Sequence, residues 1–382
     1  MKSSMIPYGR QDIRDEDLRA VAEVLKSDFL TQGPKVREFE EAFAQYVDAR
    51  YAVAFTNATA ALQLAVEVLG FPKGKRVITT PNTFVASANC VLYSGGEVTF
   101  ADIDPGNYNL DPEYVESLLK KNPDAYSGII PVDFAGYPAA MKDFKFLAER
   151  YGLWVVEDSC HAPGAVFTDQ GKVHKVGNAR YSELCSFSFH PVKHIACGEG
   201  GMLTTNDEKI WKRLQLLRSH GITKDPALMS EIDGGWDMEM QELGYNFRMP
   251  DILCALGLSQ LRRAEESLAE RERIADRYRQ ELAGLPIKIQ EVREGVRHAY
   301  HLFVIRTPKR KALYDFLKSK DILAQVHYIP IHQQPYYIGR YGRQSFPNAE
   351  EYYRECLSLP MYPSLGNRGQ SRVIEAIREF FK

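Results

Sequence analysis

Two short segments carry residue types able to do covalent chemistry on an amine. Leu153-Trp-Val-Val-Glu-Asp158-Ser-Cys-His161 is an apolar run ending in a carboxylate. Leu184-Cys-Ser-Phe-Ser188-Phe-His190-Pro-Val-Lys193 is a second run that delivers a lysine ahead of Gly198-Glu-Gly-Gly201. Both read as buried strands whose last residues reach a loop. A lysine amine forms an imine with an aldehyde, and a carboxylate can keep a pyridine nitrogen protonated so that its ring accepts electrons. Pyridoxal phosphate (PLP) needs a carboxylate and a lysine in such settings, so the chain reads as an enzyme.

Each residue also has a plainer reading. Asp158 at the end of an apolar strand needs a partner. A protonated pyridine nitrogen would serve and would lower the carboxyl pKa by roughly 1–3 units; a helix N-cap or an arginine salt bridge would serve too. Ligands gather at the carboxyl ends of strands in open α/β sheets, which favours the functional reading. His161 packs over a cofactor ring, hydrogen-bonds its 3-oxygen, or is a satisfied core histidine. Phe84, in Pro81-Asn-Thr-Phe84, covers the opposite ring face or belongs to the core. Phe55-Thr-Asn57-Ala58-Thr59-Ala-Ala-Leu62 joins a strand to a helix, and its small residues let N–H groups at the helix start face a phosphate. Ordinary capping is the alternative there, as a serine satisfied within its strand is for Ser188, whose hydroxyl could otherwise join the phosphate site. Lysines are usually solvated, yet Lys193 follows a strand and precedes a Gly-rich turn. An imine-forming lysine is also a natural general base, worth roughly 10²- to 10⁴-fold in rate.

Strand patterns at 51–55, 76–80, 98–102, 127–132, 153–157, 184–189 and 202–205 must position these groups. Helical patterns fall between many of them, as at 58–69, 83–93 and 140–151, after an N-terminal arm with an amphipathic stretch at 36–46. This order predicts an α/β fold with one mostly parallel sheet covered by helices. Beyond Pro250 the pattern predicts one long helix over 252–282, short strands near Ile287 and over 302–306, and helices near 311–319 and 348–358. The expected division is a large domain at 1–248 and a smaller C-terminal α/β domain at 249–382.

With 48 basic and 50 acidic residues no global field favours nucleic acid or an anionic membrane. The six cysteines (Cys90, Cys160, Cys185, Cys197, Cys254, Cys356) form no CxxC pair, which argues against a metal site and for free thiols in a reducing compartment. No apolar run is long enough to span a bilayer and no signal peptide is evident, so a cytoplasmic location is expected.

The ordered set of motifs resembles the DegT/DnrJ-type PLP-dependent nucleotide-sugar aminotransferases of aminotransferase fold type I. The resemblance runs through Ile6-Pro-Tyr-Gly-Arg10, Thr31-Gln-Gly-Pro34, Asn57-Ala-Thr-Ala-Ala-Leu62, Thr83-Phe84, Glu157-Asp158, Ser186-Phe-Ser-Phe-His190 with Lys193, Gly198-Glu-Gly-Gly201, Gly244-Tyr-Asn246-Phe-Arg248 and His327-Tyr-Ile-Pro-Ile-His332. It implies that Lys193 is the Schiff-base lysine and Asp158 the pyridinium partner. It further implies Ala58, Thr59 and Ser188 at the phosphate, Phe84 and His161 against the ring, and His327 and Tyr328 near the substrate. Asn246 would reach the phosphate of a neighbouring subunit, making the protein a homodimer with shared sites. Ala58 stands where the family often has Gly, and His161 where it often has Gln.

Within the family, Ser188 to His194 with the following Gly-Glu-Gly-Gly resembles the branch that aminates C4 of a UDP-linked 4-keto-6-deoxy-N-acetylhexosamine in pseudaminic acid biosynthesis, with L-glutamate as donor. A related branch that removes a hydroxyl has histidine in place of the lysine, so Lys193 argues for transamination. The nearest alternative changes only the sugar, to a GDP- or dTDP-linked 3- or 4-keto-6-deoxy sugar. More distant ones are a fold type I lyase and a PLP-binding regulator without turnover. A dinucleotide-binding protein is disfavoured by the lack of a GxGxxG after the first strand.

Overall fold

Val-, Ile- and aromatic-rich runs take β structure because branched side chains fit a pleated, buried surface. The computed structural model describes residues 5–382. Its strands are β1 (Tyr51–Phe55), β2 (Arg76–Thr79), β3 (Glu97–Phe100), β4 (Tyr126–Ile130), β5 (Trp154–Asp158), β6 (Val166–Asp169), β7 (Lys172–Lys175), β8 (Leu184–Ser188) and β9 (Gly201–Thr205), then the short β10 (Ile222–Thr223), β11 (Glu239–Met240), β12 (Lys288–Ile289), β13 (Val296–Arg297), β14 (Phe303–Arg306) and β15 (Cys356–Leu359). Seven form the central sheet in the order β1-β9-β8-β5-β4-β2-β3. Neighbours from β8 to β3 are parallel, and only β9 runs against both its neighbours. The mostly parallel sheet expected from the alternating pattern is therefore present. β4, β8 and β9 are buried throughout, which explains their unbroken apolar character.

Helices α1 (Asp15–Leu25), α2 (Pro34–Val47), α3 (Ala58–Leu69), α4 (Ala86–Tyr93), α5 (Pro112–Lys121), α6 (Met141–Tyr151) and α7 (Glu208–Arg218) accompany the sheet. Leu62, Leu64 and Val66 of α3 share one core with Val53, Val77 and Val156 of the strands, while Phe39 and Phe43 of α2 pack against Phe187 and Phe189 in another. Helix α4 starts later than the 83–93 pattern predicts. Thr83 and Phe84 stay in the preceding loop, where Asn82 Nδ2 donates to the Tyr108 carbonyl at 3.1 Å and Thr83 Oγ1 meets Ser87 Oγ.

The single helix expected over 252–282 is two, α8 (Asp251–Leu261) and α9 (Ala264–Glu281). Arg263 leaves the helical conformation (φ −116°, ψ 19°), and its guanidinium donates to Asp17 Oδ2 and Oδ1 at 2.5 and 2.9 Å and to the Asp12 carbonyl at 2.6 Å. A buried aspartate on α1 thus sets the break. After α10 (Arg310–Ser319) and α11 (Pro335–Tyr341), the helix expected over 348–358 is α12 (Pro347–Glu355), which stops because residues 356–359 pair with β14 as β15. Helix α13 (Gly366–Phe381) and the β6–β7 hairpin were not foreseen from the sequence.

A second sheet, β12-β14-β15, packs with α9, α10 and α13 through Tyr278, Phe303, Ile305, Leu313 and Ile377. Ile6 joins this core, its backbone tied to Asp321 and Leu323. β13 instead pairs with β6, so the chain around residues 296–302 is anchored beside the central sheet.

Just behind the carboxyl ends of β4 and β5 lie two buried carboxyls. Asp133 Oδ1 accepts the Ala139 N–H at 2.7 Å, and Glu157 Oε2 accepts the Cys185 S–H at 3.0 Å. Burial pushes both up, Asp133 further because of the Glu157 charge beside it, and Glu157 reaches about 7. The folded protein therefore holds a proton that the unfolded chain releases near 4.5, so this stabilisation is complete below that value and declines as pH rises to about 7.

Two outcomes are expected. Arg263→Ala, which strands buried Asp17 without its cation, should destabilise by about 3–5 kcal/mol in urea unfolding. Glu157→Gln should flatten the fall in melting temperature between about pH 4.5 and 7; an unchanged slope would show that another group titrates.

Candidate active site

The carboxyl edge of the central sheet opens into a cavity of about 620 Å³. Asp158, the last residue of β5, lies in its wall and is 5% exposed. Its Oδ2 accepts a hydrogen bond from Ser87 Oγ at 2.6 Å and its Oδ1 one from the Cys160 N–H at 3.2 Å. Ser87 has a single hydroxyl proton and directs it at Asp158, so Thr83 Oγ1, 2.9 Å away, is the donor to Ser87. Among the described residues no basic side chain forms an ion pair with Asp158, and it caps no helix. Two neutral donors leave a buried carboxylate short of a cation.

Lys193 follows β8 and presents Nζ to the same cavity, 3.4 Å from His301 Nε2. Burial lowers its pKa to about 8, against the opposing fields of Cys160 and Asp158. About a tenth of the amine is then neutral near pH 7, far more than for a solvated lysine. Burial also pushes His161, His194, His301 and His327 down, with the positive field of Lys193 acting in the same direction on each, so all four imidazoles are neutral. His161 Nδ1 accepts the Ala135 N–H at 3.2 Å, which places its proton on Nε2, 3.3 Å from Tyr328 Oη. His161 is thus hydrogen-bonded within the fold and still lines the cavity with a donor.

Ser188 ends β8 and lines the cavity; its Oγ accepts the His190 N–H at 3.4 Å, which leaves the hydroxyl proton for a ligand. At the start of α3, Asn57 caps the Ala60 N–H with its side chain at 2.9 Å and takes the Ala61 N–H on its carbonyl. The amides of Ala58 and Thr59 keep no partner among the described residues, and both residues line the cavity. Gly201 makes this arrangement fit, since a Cβ there would stand 2.5 Å from the Asn57 carbonyl carbon and 2.6 Å from the Ala58 nitrogen.

Phe84 is 57% exposed, with its ring 6.2 Å from that of Tyr328. His327 Nδ1 lies 2.8 Å from Ser358 Oγ, and Tyr352 Oη donates to its carbonyl at 3.0 Å, which fixes His327 and Tyr328 in the cavity wall. Nine of the ten residues singled out from the sequence thus line one cavity: Ala58, Thr59, Phe84, Asp158, His161, Ser188, Lys193, His327 and Tyr328. Asn246 does not; it is exposed on the strand-like segment bridged to Ser219.

The sequence reading missed Ser87, Tyr8, Glu199 and His301, which share the wall. Thr83 and Ser87, four apart, were a legible pair; His301, 108 residues from Lys193, had no local signal. The cation-deficient Asp158, the depressed Lys193 amine and the free donors at α3 suit the ring nitrogen, aldehyde and phosphate of PLP.

The pattern of the DegT/DnrJ/EryC1/StrS aminotransferase family matches residues 11–378. The chain is 37% identical to the spore coat polysaccharide biosynthesis protein SpsC of Bacillus subtilis, over 100% of this chain and 98% of that one. It is 36% identical to a Campylobacter jejuni UDP-4-amino-4,6-dideoxy-N-acetyl-beta-L-altrosamine transaminase, over 94% of this chain and 93% of that one. Helicobacter pylori PseC, an aminotransferase involved in the biosynthesis of pseudoaminic acid, superposes with a TM-score of 0.91 at 31% identity, covering 99% of each chain. Structures of this aminotransferase fold include a PLP form. The chain belongs to the DegT/DnrJ/EryC1/StrS aminotransferase family and is a sugar aminotransferase with pyridoxal phosphate as its cofactor.

Proposed function

We propose that the protein transfers an amino group from L-glutamate to the C4 ketone of a UDP-linked 4-keto-6-deoxy-N-acetylhexosamine, giving a UDP-4-amino sugar for pseudaminic acid synthesis. What carries the reading is near full-length likeness to one protein named as the UDP-4-amino-sugar transaminase and to another named as an aminotransferase of pseudoaminic acid biosynthesis, joined to a cavity that keeps its lysine.

When bound, PLP supplies an electron sink that stabilises negative charge on the carbon next to the transferred nitrogen. Asp158, held by Ser87 and the Cys160 amide, would pair with the ring nitrogen. The amides of Ala58 and Thr59 and the Ser188 hydroxyl would hold the phosphate, at the positive end of α3. His161 and Phe84 would flank the ring. Lys193 is the covalent anchor, and once free it moves a proton off the α-carbon of glutamate in one half-reaction and onto C4 of the sugar in the other. Its depressed pKa of about 8 keeps both forms within reach near neutral pH, the neutral amine that takes the proton from glutamate and the ammonium that delivers one to the sugar. His327 and Tyr328 face the substrate side of the cavity.

We read residues 1–248 as the cofactor-holding unit and 249–382 as the smaller unit that brings in His327 and Tyr328. A second copy would complete the site with Asn246. The exposed apolar side chains just before it, Trp236 (72%), Met238, Met240 and Leu243 (80%), favour such a cover. Six unpaired cysteines fit the reducing cytoplasm. No helix among the described residues is long and apolar enough to cross a membrane.

Glutamate should convert the absorbance of the PLP-loaded wild type to that of the aminated cofactor, whereas Lys193→Ala should show no covalent band and no conversion. A UDP-linked 4-keto-6-deoxy-N-acetylhexosamine should then restore the original spectrum. Restoration only by a GDP- or dTDP-linked keto sugar would reassign the substrate, and restoration by none would refute the proposed substrate assignment. Gly201→Ala should weaken PLP binding by roughly 1–3 kcal/mol in equilibrium titration, because its methyl group pushes on the Asn57–Ala58 backbone.

A further inference from the structure

We propose that His301 is a positioning residue, which receives and aims the free Lys193 amine through a hydrogen bond to its Nε2. The inference rests on reading Lys193 as the covalent anchor.

The first observation is the contact itself, Nζ to Nε2 at 3.4 Å, on the cavity wall. A lysine ammonium has only donors, so Nε2 is the acceptor and the His301 proton sits on Nδ1. The second is how firmly the chain carrying His301 is fixed. Ala299 N–H donates to the Gly136 carbonyl at 2.9 Å and Leu302 N–H to the Ala135 carbonyl at 3.1 Å. His194 Nε2–H donates to the Ala299 carbonyl at 2.7 Å, and Arg271 Nη1 to the Tyr300 carbonyl at 3.1 Å. The third is strain: Tyr300, immediately before His301, has φ 49°, a conformation costly for a residue with a side chain. Strain held in place by bonds on both flanks is characteristic of a residue that must point one way.

The groups around His301 bear on its charge state. His161 lies against it with ring centroids 4.3 Å apart, and His194 at 5.8 Å. Lys193 in front and Arg271 behind the Tyr300 carbonyl add positive fields. Asp158 and Cys160 act on Lys193 from the side of β5. An imidazole among two cations and two neutral rings stays neutral, and so remains an acceptor when the lysine carries its proton. Each time Lys193 is released it therefore has a fixed neighbour to return from.

The test is capture of PLP by apoprotein across a pH series, followed by stopped-flow absorbance and by mass spectrometry after borohydride trapping. Wild type, His301→Phe and His301→Gln are compared, with His301→Leu replacing Phe if Phe is not tolerated. Removing the acceptor should slow capture by the neutral amine, read at pH above the midpoint, roughly two- to tenfold, the size of one neutral hydrogen bond that no longer aims it. It should also move the pH midpoint of capture downward, since the ammonium form loses its partner. Gln, which keeps an acceptor oxygen, should recover most of the rate and the midpoint. A Phe variant with the wild-type rate and midpoint overturns the proposal. Equal impairment of Phe and Gln also overturns it, because ring shape and not hydrogen-bond acceptance would then matter. A wild type that forms no trappable adduct on Lys193 overturns the anchor reading together with this one, and is distinguished by the absence of any labelled lysine.

Discussion

A carboxylate buried at the end of a strand and given no cation of its own is the constraint around which this molecule is organised. Asp158 has hydrogen bonds from a serine hydroxyl and a main-chain amide, but no ion pair among the described residues. Neutral donors offset part of the cost of taking a charge out of water, and the remainder calls for a cationic partner that the fold does not supply. In the function proposed above, the protonated ring of the cofactor would meet that need, and the interaction that retains the ring would also keep it able to accept electrons.

Around Lys193 the same burial keeps the imidazoles neutral and lowers the lysine amine below its usual range. Burial depresses Lys193 and four histidines together, and each one's positive field works against charging the next. Arg271 contributes from behind. It is buried, its Nη1 donates only to the Tyr300 and Met361 carbonyls, and burial lowers it to about 10. A buried guanidinium bonded to carbonyls retains an outward field that a carboxylate would have cancelled. The site therefore sets a carboxylate without an ion pair among the described residues beside neutral imidazoles and a lysine whose pKa is lowered by its dry surroundings.

Much of this was legible beforehand because the information is local. An unbroken apolar run ending in Asp158, and another leading through Ser188 to Lys193, state both the strand and its exit. A buried parallel strand needs a continuous hydrophobic run, and its carboxyl end is where side chains become free to act. Thr59 and Ala58 were readable for a similar reason, as helix starts leave amides unpaired. The helix break at Arg263 was not readable, since nothing in the local pattern interrupts the periodicity. The cause is Asp17, about 250 residues earlier. The β6–β7 hairpin was hidden as well, its exposed, polar alternation resembling a loop until β13 pairs with it.

The sequence by itself determined the kind of chemistry and the order of the strands' contents; residue type and position pointed to Asp158, Lys193, Ser188 and the helix start at Ala58 and Thr59, whereas His327 and Tyr328 were expected only from the family resemblance. Only tertiary structure decided which groups meet. Ser87 reaches Asp158 across 71 residues and His301 reaches Lys193 across 108; the hydrogen bonds of the strap around Tyr300, not its composition, place that histidine. Charge states belong to the fold too, since Lys193 and His301 acquire their lowered pKa values only from the burial and neighbours that packing imposes.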